Sequence, residues 1–170
     1  MKTLLASVTV VAAMLIAPVH AAKVEVKWDE VKSFSDFEAV NELQSRFEER
    51  TKAKFEEYVA ELGAKLPESN TLQVTFKDVD LAGRVDATFG ATTSGFQRVL
   101  DDVSYPELVI SYRYTDAQGA ELSSADKVEL KSLAPPRNMR NIQGSSHDSL
   151  YFEKELLMEW FNDTFPSAKR

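Results

Sequence analysis

Apolar and polar residues alternate along the first part of the chain in a way that separates strands from helices. Val24, Val26 and Trp28 are interleaved with Glu25 and Lys27, the period-two pattern of a half-buried strand. Ser35-Asp36-Phe37-Glu38 then has the form of a helix-starting box, a serine followed three residues on by a glutamate. Leu43, Phe47, Phe55, Val59, Leu62 and Leu66 recur at helical spacing, with Glu48, Glu49, Lys52, Lys54, Glu56, Glu57 and Glu61 on the other faces. Pro67 ends this helix, because the residue before a proline is pushed out of helical geometry. A single helix over 41–66 would run about 39 Å at 1.5 Å per residue, enough to cross one whole face of the molecule.

The pattern returns to period two at Leu72, Val74 and Phe76, which predicts a strand from Leu72 to about Val79. Gly83 leads into a stretch read as a loop, holding Gly90, Thr92, Thr93, Ser94 and Gly95, with a minor strand over Gln97–Leu100. A hairpin follows. Leu108, Ile110, Tyr112 and Tyr114 share a face, and Asp116-Ala117-Gln118-Gly119 carries the residues of a type I turn. The return strand puts Leu122, Val128 and Leu130 on one face together with Asp126, so a bulge or fray is expected near Ser123–Asp126. After Pro135-Pro136 and a polar loop, Leu150, Leu157, Phe161 and Phe165 form the stripe of a last helix, widened by Tyr151, Leu156 and Trp160. The order β-α-β-(β)-β-β-α predicts an α+β fold: a mostly antiparallel sheet of about four to five strands, one long amphipathic helix and a C-terminal helix.

Ahead of this region the pattern is different. Lys2, an uncharged apolar run of about 13 residues from Leu4 to Ile16, Pro18 and Val19-His20-Ala21 have the parts of a cleavable signal peptide over 1–21. A spanning helix needs roughly 20 apolar residues, so the run is too short for an anchor. Cleavage after Ala21 leaves 149 of the 170 residues, expected to form a single domain over 22–170. The expected address is the periplasm.

Charge and composition then remove whole classes of chemistry. Loss of Lys2 takes the formal charge from −7 to −8, which disfavours nucleic acid and anionic lipid as partners. The absence of cysteine excludes disulfides, thiol nucleophiles, thiolate metal sites and lipoprotein attachment at the cleavage site. Only His147 remains after processing, so no centre with two imidazole ligands forms within one chain. No cofactor is called for.

Several motifs recur in a familiar order: Leu66-Pro67, Asp78-Val79-Asp80-Leu81-Ala82-Gly83, Arg98-Val99, Tyr105-Pro106, and Tyr151-Phe152-Glu153-Lys154-Glu155-Leu156-Leu157 with Trp160-Phe161 and Phe165. By these the chain resembles a family of exported proteins of Gram-negative bacteria catalogued as domain of unknown function 3016, over roughly residues 24–165. The resemblance implies a periplasmic α+β protein without an established activity.

Candidate binding residues are few. Asp78 and Asp80, two apart in a strand, point the same way and continue the face of Val74 and Phe76; they would either ligate a hard cation or shape the turn at Gly83, and the turn-shaping role is favoured. Arg98 is placed to clamp an anion or to pair with Asp101 and Asp102 nearby. Arg137 and Arg140 give a basic, amide-rich loop in an acidic protein, suited to an anionic ligand or to solvent alone. His147 with Asp148 and its neighbouring serines lacks the geometry of a catalytic triad, so no catalytic residue is assigned. The favoured reading is a non-catalytic binding or accessory protein of the cell envelope, its partner a protein or small anionic ligand met through the loops or an exposed strand edge near Ser123–Asp126. The competing reading is a carboxylate-dependent hydrolase using Asp78, Asp80 or Asp101; a third is a purely structural envelope protein.

Overall fold

The computed structural model describes residues 22–89, 94–100, 103–131 and 149–168. Strands β1 (Lys23–Trp28), β2 (Thr71–Asp80), β5 (Glu107–Thr115) and β6 (Glu121–Lys131) form one sheet in the order β1-β2-β5-β6. Only the β1–β2 pair is parallel. Its crossover is α1 (Gln44–Gly63), as a parallel connection requires. The β2–β5 and β5–β6 pairs are antiparallel. Strands β3 (Arg84–Phe89) and β4 (Ser94–Val99) form a separate two-stranded hairpin, an arm inserted between β2 and β5. Helix α2 (Tyr151–Thr164) closes the chain. This is the α+β architecture read from the pattern, with β3 added: residues 84–89, expected as loop, form a strand paired to β4.

Both helices cover one face of the sheet. Phe55, Val59 and Leu62 from α1, and Leu156, Leu157 and Phe161 from α2, meet Leu72, Val74, Phe76, Leu108 and Ile110 in one buried cluster. Aromatic rings form the seam under each helix. Trp28 stacks on Phe76 at 4.4 Å between centroids and meets Phe55 edge-on at 5.8 Å, while its indole N–H donates to Glu56 at 2.9 Å. Under α2, Trp160 meets Tyr112 edge-on at 5.4 Å and Phe165 lies 5.1 Å from Tyr114. Offset and edge-on pairs of this kind add about 0.5–1.5 kcal/mol each beyond their buried area. Gly63 ends α1 where it crosses β1, and any Cβ there would overlap the Val24 side chain.

Helix α1 is shorter than the periodicity suggests, 20 residues, or about 30 Å. Ser35 does not start it. The Ser35 N–H and hydroxyl both donate to Asp78, at 2.7 and 2.6 Å. The chain runs on beside β2, where Asp36 N–H donates to the Val79 carbonyl and Leu81 N–H donates to the Asp36 carbonyl. A long-range carboxylate thus outcompetes the local box. The helix begins at Gln44, whose side-chain amide holds the preceding loop by accepting from Ala39 N–H and donating to the Phe37 carbonyl, both at 2.8 Å.

Three register shifts reset which residues face the helices. In β2 the register shifts between Phe76 and Asp78, so Lys77 is an extra residue. A one-residue shift exchanges the two faces of everything beyond it. Val79 therefore joins the core with Phe76, and Asp78 and Asp80 turn to the face opposite α1 and α2, not to the face of Val74 and Phe76. In β6 the expected bulge is present, with Val128 opposite Ile110 and Ala125 opposite Tyr112. A second shift between Ser123 and Glu121 leaves Leu122 exposed, away from the face of Val128 and Leu130. The turn at Asp116 forms as read: Gly119 N–H donates to the Asp116 carbonyl, and Asp116 Oδ1 accepts from Gln118 and Ala120.

Candidate functional site

The β2 bulge delivers a row of charges to one end of the sheet face opposite α1 and α2. Asp36 bridges Asp80, Asp80 stands opposite Glu107 on β5, and Glu107 stands opposite Lys131 on β6. Three carboxylates side by side on neighbouring strands repel one another unless compensated. Two of them are. Arg98 reaches from β4 and donates to both oxygens of Asp36, at 2.6 and 2.9 Å. Lys131 pairs with Glu107 at 2.5 Å. Asp80, between them, has no side-chain hydrogen-bond or ion-pair partner among the described residues. Burial, then the negative charges of Asp36, Asp78 and Glu107, raise its pKa above the usual aspartate value, with Lys131 opposing.

Above this row opens a cleft of about 530 Å³. Its lining includes Gly83, Arg84, Val85, Val103 and Tyr105 of the arm and its stem, together with Asp36, Glu38, Asp80 and Lys131. The stem is tight. Gly83 has φ of 84°, donates its N–H to the Ser104 carbonyl at 2.9 Å, and has no room for a Cβ beside the Val99 carbonyl oxygen. On the helix side, buried Glu153 of α2 accepts from Ala82 N–H at 2.8 Å, tying the helix to the base of the arm. Val85 and Phe96 of the arm and Val103 of its stem are exposed, with Leu100 and Leu43.

The candidate residues are thus distributed unevenly. Asp80 lines the cleft and Arg98 lies nearby, its fork occupied by Asp36. Asp78 sits two residues back in β2, where its Oδ1 also accepts from Val79 N–H at 2.9 Å. Asp101, Arg137 and Arg140 lie outside the described residues, as do residues 1–21 and His147. Asp36, Glu107 and Lys131 were not singled out in the sequence; only strand pairing brings them to Asp80. Among the described residues no group of three or more His, Asp or Glu gathers to hold a metal ion, and no helix is long and apolar enough to cross a membrane. The outer strand β6 carries two of the three register shifts together with Lys127 and Lys131, features that blunt an edge against further strand pairing.

These features define an α+β protein with a two-helix-covered sheet, a hairpin arm and a charged cleft at the base of that arm. The family model described as protein of unknown function (DUF3016) matches residues 22–163, and the chain belongs to that family. No curated protein matches it. A minor lipoprotein from Acinetobacter baumannii, known from a 2.35 Å crystal structure, is similar over 86% of this chain and 91% of its own, at 9% identity and a TM-score of 0.29. That likeness is too distant to transfer anything between the two.

Proposed function

We propose that the chain is an exported, non-catalytic binding or accessory protein of the cell envelope, and that its cleft receives a positively charged group of the partner. The observation that carries this reading is the arrangement of the row: two ion pairs flank one carboxylate, Asp80, that lines an open cleft and has no side-chain hydrogen-bond or ion-pair partner among the described residues. A guanidinium or ammonium seated there gains charge-assisted hydrogen bonds to Asp80. Because Arg98 is already bound to Asp36, a cation suits the cleft better than the small anionic ligand expected from the sequence. Export is supported by the signal-like residues 1–21, which the family match leaves outside.

A carboxylate-dependent hydrolase is the second reading, and the raised pKa of Asp80 is the observation in its favour. Glu38 also lines the cleft, whereas Asp36 and Asp78 are both committed to structural hydrogen bonds.

Isothermal titration of the purified protein with arginine amide, at constant ionic strength, tests the cleft. Saturable binding that disappears in Asp80→Asn is expected; equal binding by that variant, or none by the parent, overturns the reading. The mass of the protein recovered from periplasm tests export, and a chain that begins at Ala22 is the expected result.

A further inference from the structure

The four-stranded sheet has two edges, and they are built differently. The β6 edge carries two register shifts, whereas β1 pairs with β2 from Lys23 to Trp28 without a break. Lys23 N–H donates to the Asn70 carbonyl and Asp29 N–H to the Phe76 carbonyl, so the odd-numbered residues of β1 turn their backbone groups to β2. The backbone groups of Val24, Val26 and Trp28 therefore point out of the sheet, and among the described residues no strand pairs with them. A regular unpaired strand is a template for another strand.

The side chains of β1 select the strand it would accept. Val24, Val26 and Trp28 pack against the core under α1, while Lys23, Glu25 and Lys27 alternate in sign along the other face and exposed Asp29 follows them. Two copies pair antiparallel only in registers that set outward-pointing residues opposite one another. Centred on Glu25, such a pairing sets Lys23 against Lys27 of the second copy and Glu25 against its own copy. Centred on Val24, it leaves Lys27 and Trp28 without a partner in the facing β1. Centred on Val26, it sets Lys23 against Asp29, Glu25 against Lys27 and Val24 against Trp28, each twice by symmetry. Opposite charges directly across a strand pair stabilise it, and like charges destabilise it. Helix α1 permits the approach. Gly63 lies against Val24 and Glu56 accepts from Trp28, so exposed Ala60, one turn from each, is the residue of α1 nearest the edge at Val26, where its small side chain leaves room for a second helix.

We propose that the protein forms a two-fold dimer through β1, antiparallel and centred on Val26, which joins two four-stranded sheets into one with all the helices on the same face. The sign alternation of β1 fixes the register, and the unbroken ladder to β2 holds the strand straight for it.

Sedimentation equilibrium of the protein recovered from periplasm tests the dimer. Twice the chain mass is expected at roughly 100 μM, and a monomer throughout would overturn the proposal. The chain has no cysteine, so one introduced thiol reports the register cleanly. In this register Val26 faces its own copy as a hydrogen-bonded pair, with Cα atoms about 5.5 Å apart and within reach of a disulfide. Val24 is offset from its own copy by four residues, at least about 13 Å. Oxidised Val26→Cys should run as a covalent dimer and Val24→Cys as a single chain; any other pattern overturns the register. Charge exchange adds a readout that misfolding does not imitate. Lys27→Glu and Glu25→Lys should each weaken the dimer about tenfold, because like charges then face each other. Mixed in equal amounts, the two variants should pair with one another as tightly as the parent does with itself. Single variants that dimerise as well as the parent, or that keep the parent's urea midpoint yet do not pair when mixed, count against the dimer.

Discussion

Phe76 in β2 and Phe96 in β4 are both strand phenylalanines, yet the first is fully buried and the second is 57% exposed. Phe76 stands between Trp28 and Phe55 beneath α1, so its environment is made by an element some twenty residues long folded back over it. Among the described residues no helix lies above Phe96; its backbone is held by Asn41 while its ring is largely exposed. The main sheet is therefore stabilised by burial, and the arm by a handful of directional polar contacts. Burial scales with area and is hard to remove piecemeal. Directional contacts are lost one at a time, which suits a part of the molecule that meets other molecules.

The contrast can be broken most severely at the core. Phe76→Ala should cost about 3–5 kcal/mol in urea unfolding, by lost transfer energy and the cavity left behind. A loss below about 1 kcal/mol would mean that the aromatic seam does not dominate the stability. Gly83→Ala comes next, at about 1–3 kcal/mol, because it forces a side chain into a left-handed backbone and against the Val99 carbonyl. Its signature should be increased exchange of arm amides beyond any change in the core.

Asp80→Asn probes the junction of the two regions by pH. The folded pKa of Asp80 is raised, so the folded state holds the proton more tightly than the unfolded chain does. Any stability linked to that proton is present at low pH and is lost as pH rises from the ordinary aspartate range through the folded pKa. The Asp80→Asn variant, uncharged at this position, should therefore be more stable than the parent at pH 7 and show no such gain below the usual aspartate pKa. Equal effects at both ends of a pH series of melting curves would remove the charge argument. The smallest expected effect is Phe96→Ser, within about 0.5 kcal/mol of the parent, as for other exposed substitutions. If that variant also retains every partner captured by the parent from periplasmic extract, the arm's apolar tip has no part in recognition.

The sequence-level pattern made β1, β2, the β5–β6 hairpin and both helices legible because each is a run whose periodicity is local. It failed where the deciding contact was distant. Ser35-Asp36-Phe37-Glu38 satisfies the local rule for a helix start, but Asp78, 43 residues away, takes the serine. Residues 84–89 are an exception: Val85, Ala87 and Phe89 alternate with Arg84, Asp86 and Thr88, so the strand that pairs with β4 was legible locally and the loop reading passed over it. The alternation in β2 gave the right faces as far as Phe76 and the wrong ones after Lys77, because a bulge leaves no residue-type signature there. The β6 bulge was visible beforehand only because Asp126 would otherwise have fallen among leucines and valine. At the site, Asp80 and Arg98 were recognisable from their neighbours in sequence, whereas Asp36, Glu107 and Lys131 belong to it through register alone.

The two tryptophans, one at each aromatic seam, give the molecule a built-in optical readout. The indole N–H of Trp28 faces an exposed glutamate, whereas that of Trp160 is buried without a hydrogen-bond partner among the described residues. Polar contact at the excited indole shifts emission to the red and a dry apolar site keeps it blue, so the two should contribute separable bands. Trp28→Phe would leave a spectrum that follows α2 alone, and Trp160→Phe one that follows α1. Unfolding watched in the two single-tryptophan proteins would then show whether both helices leave the sheet together, without any label being attached.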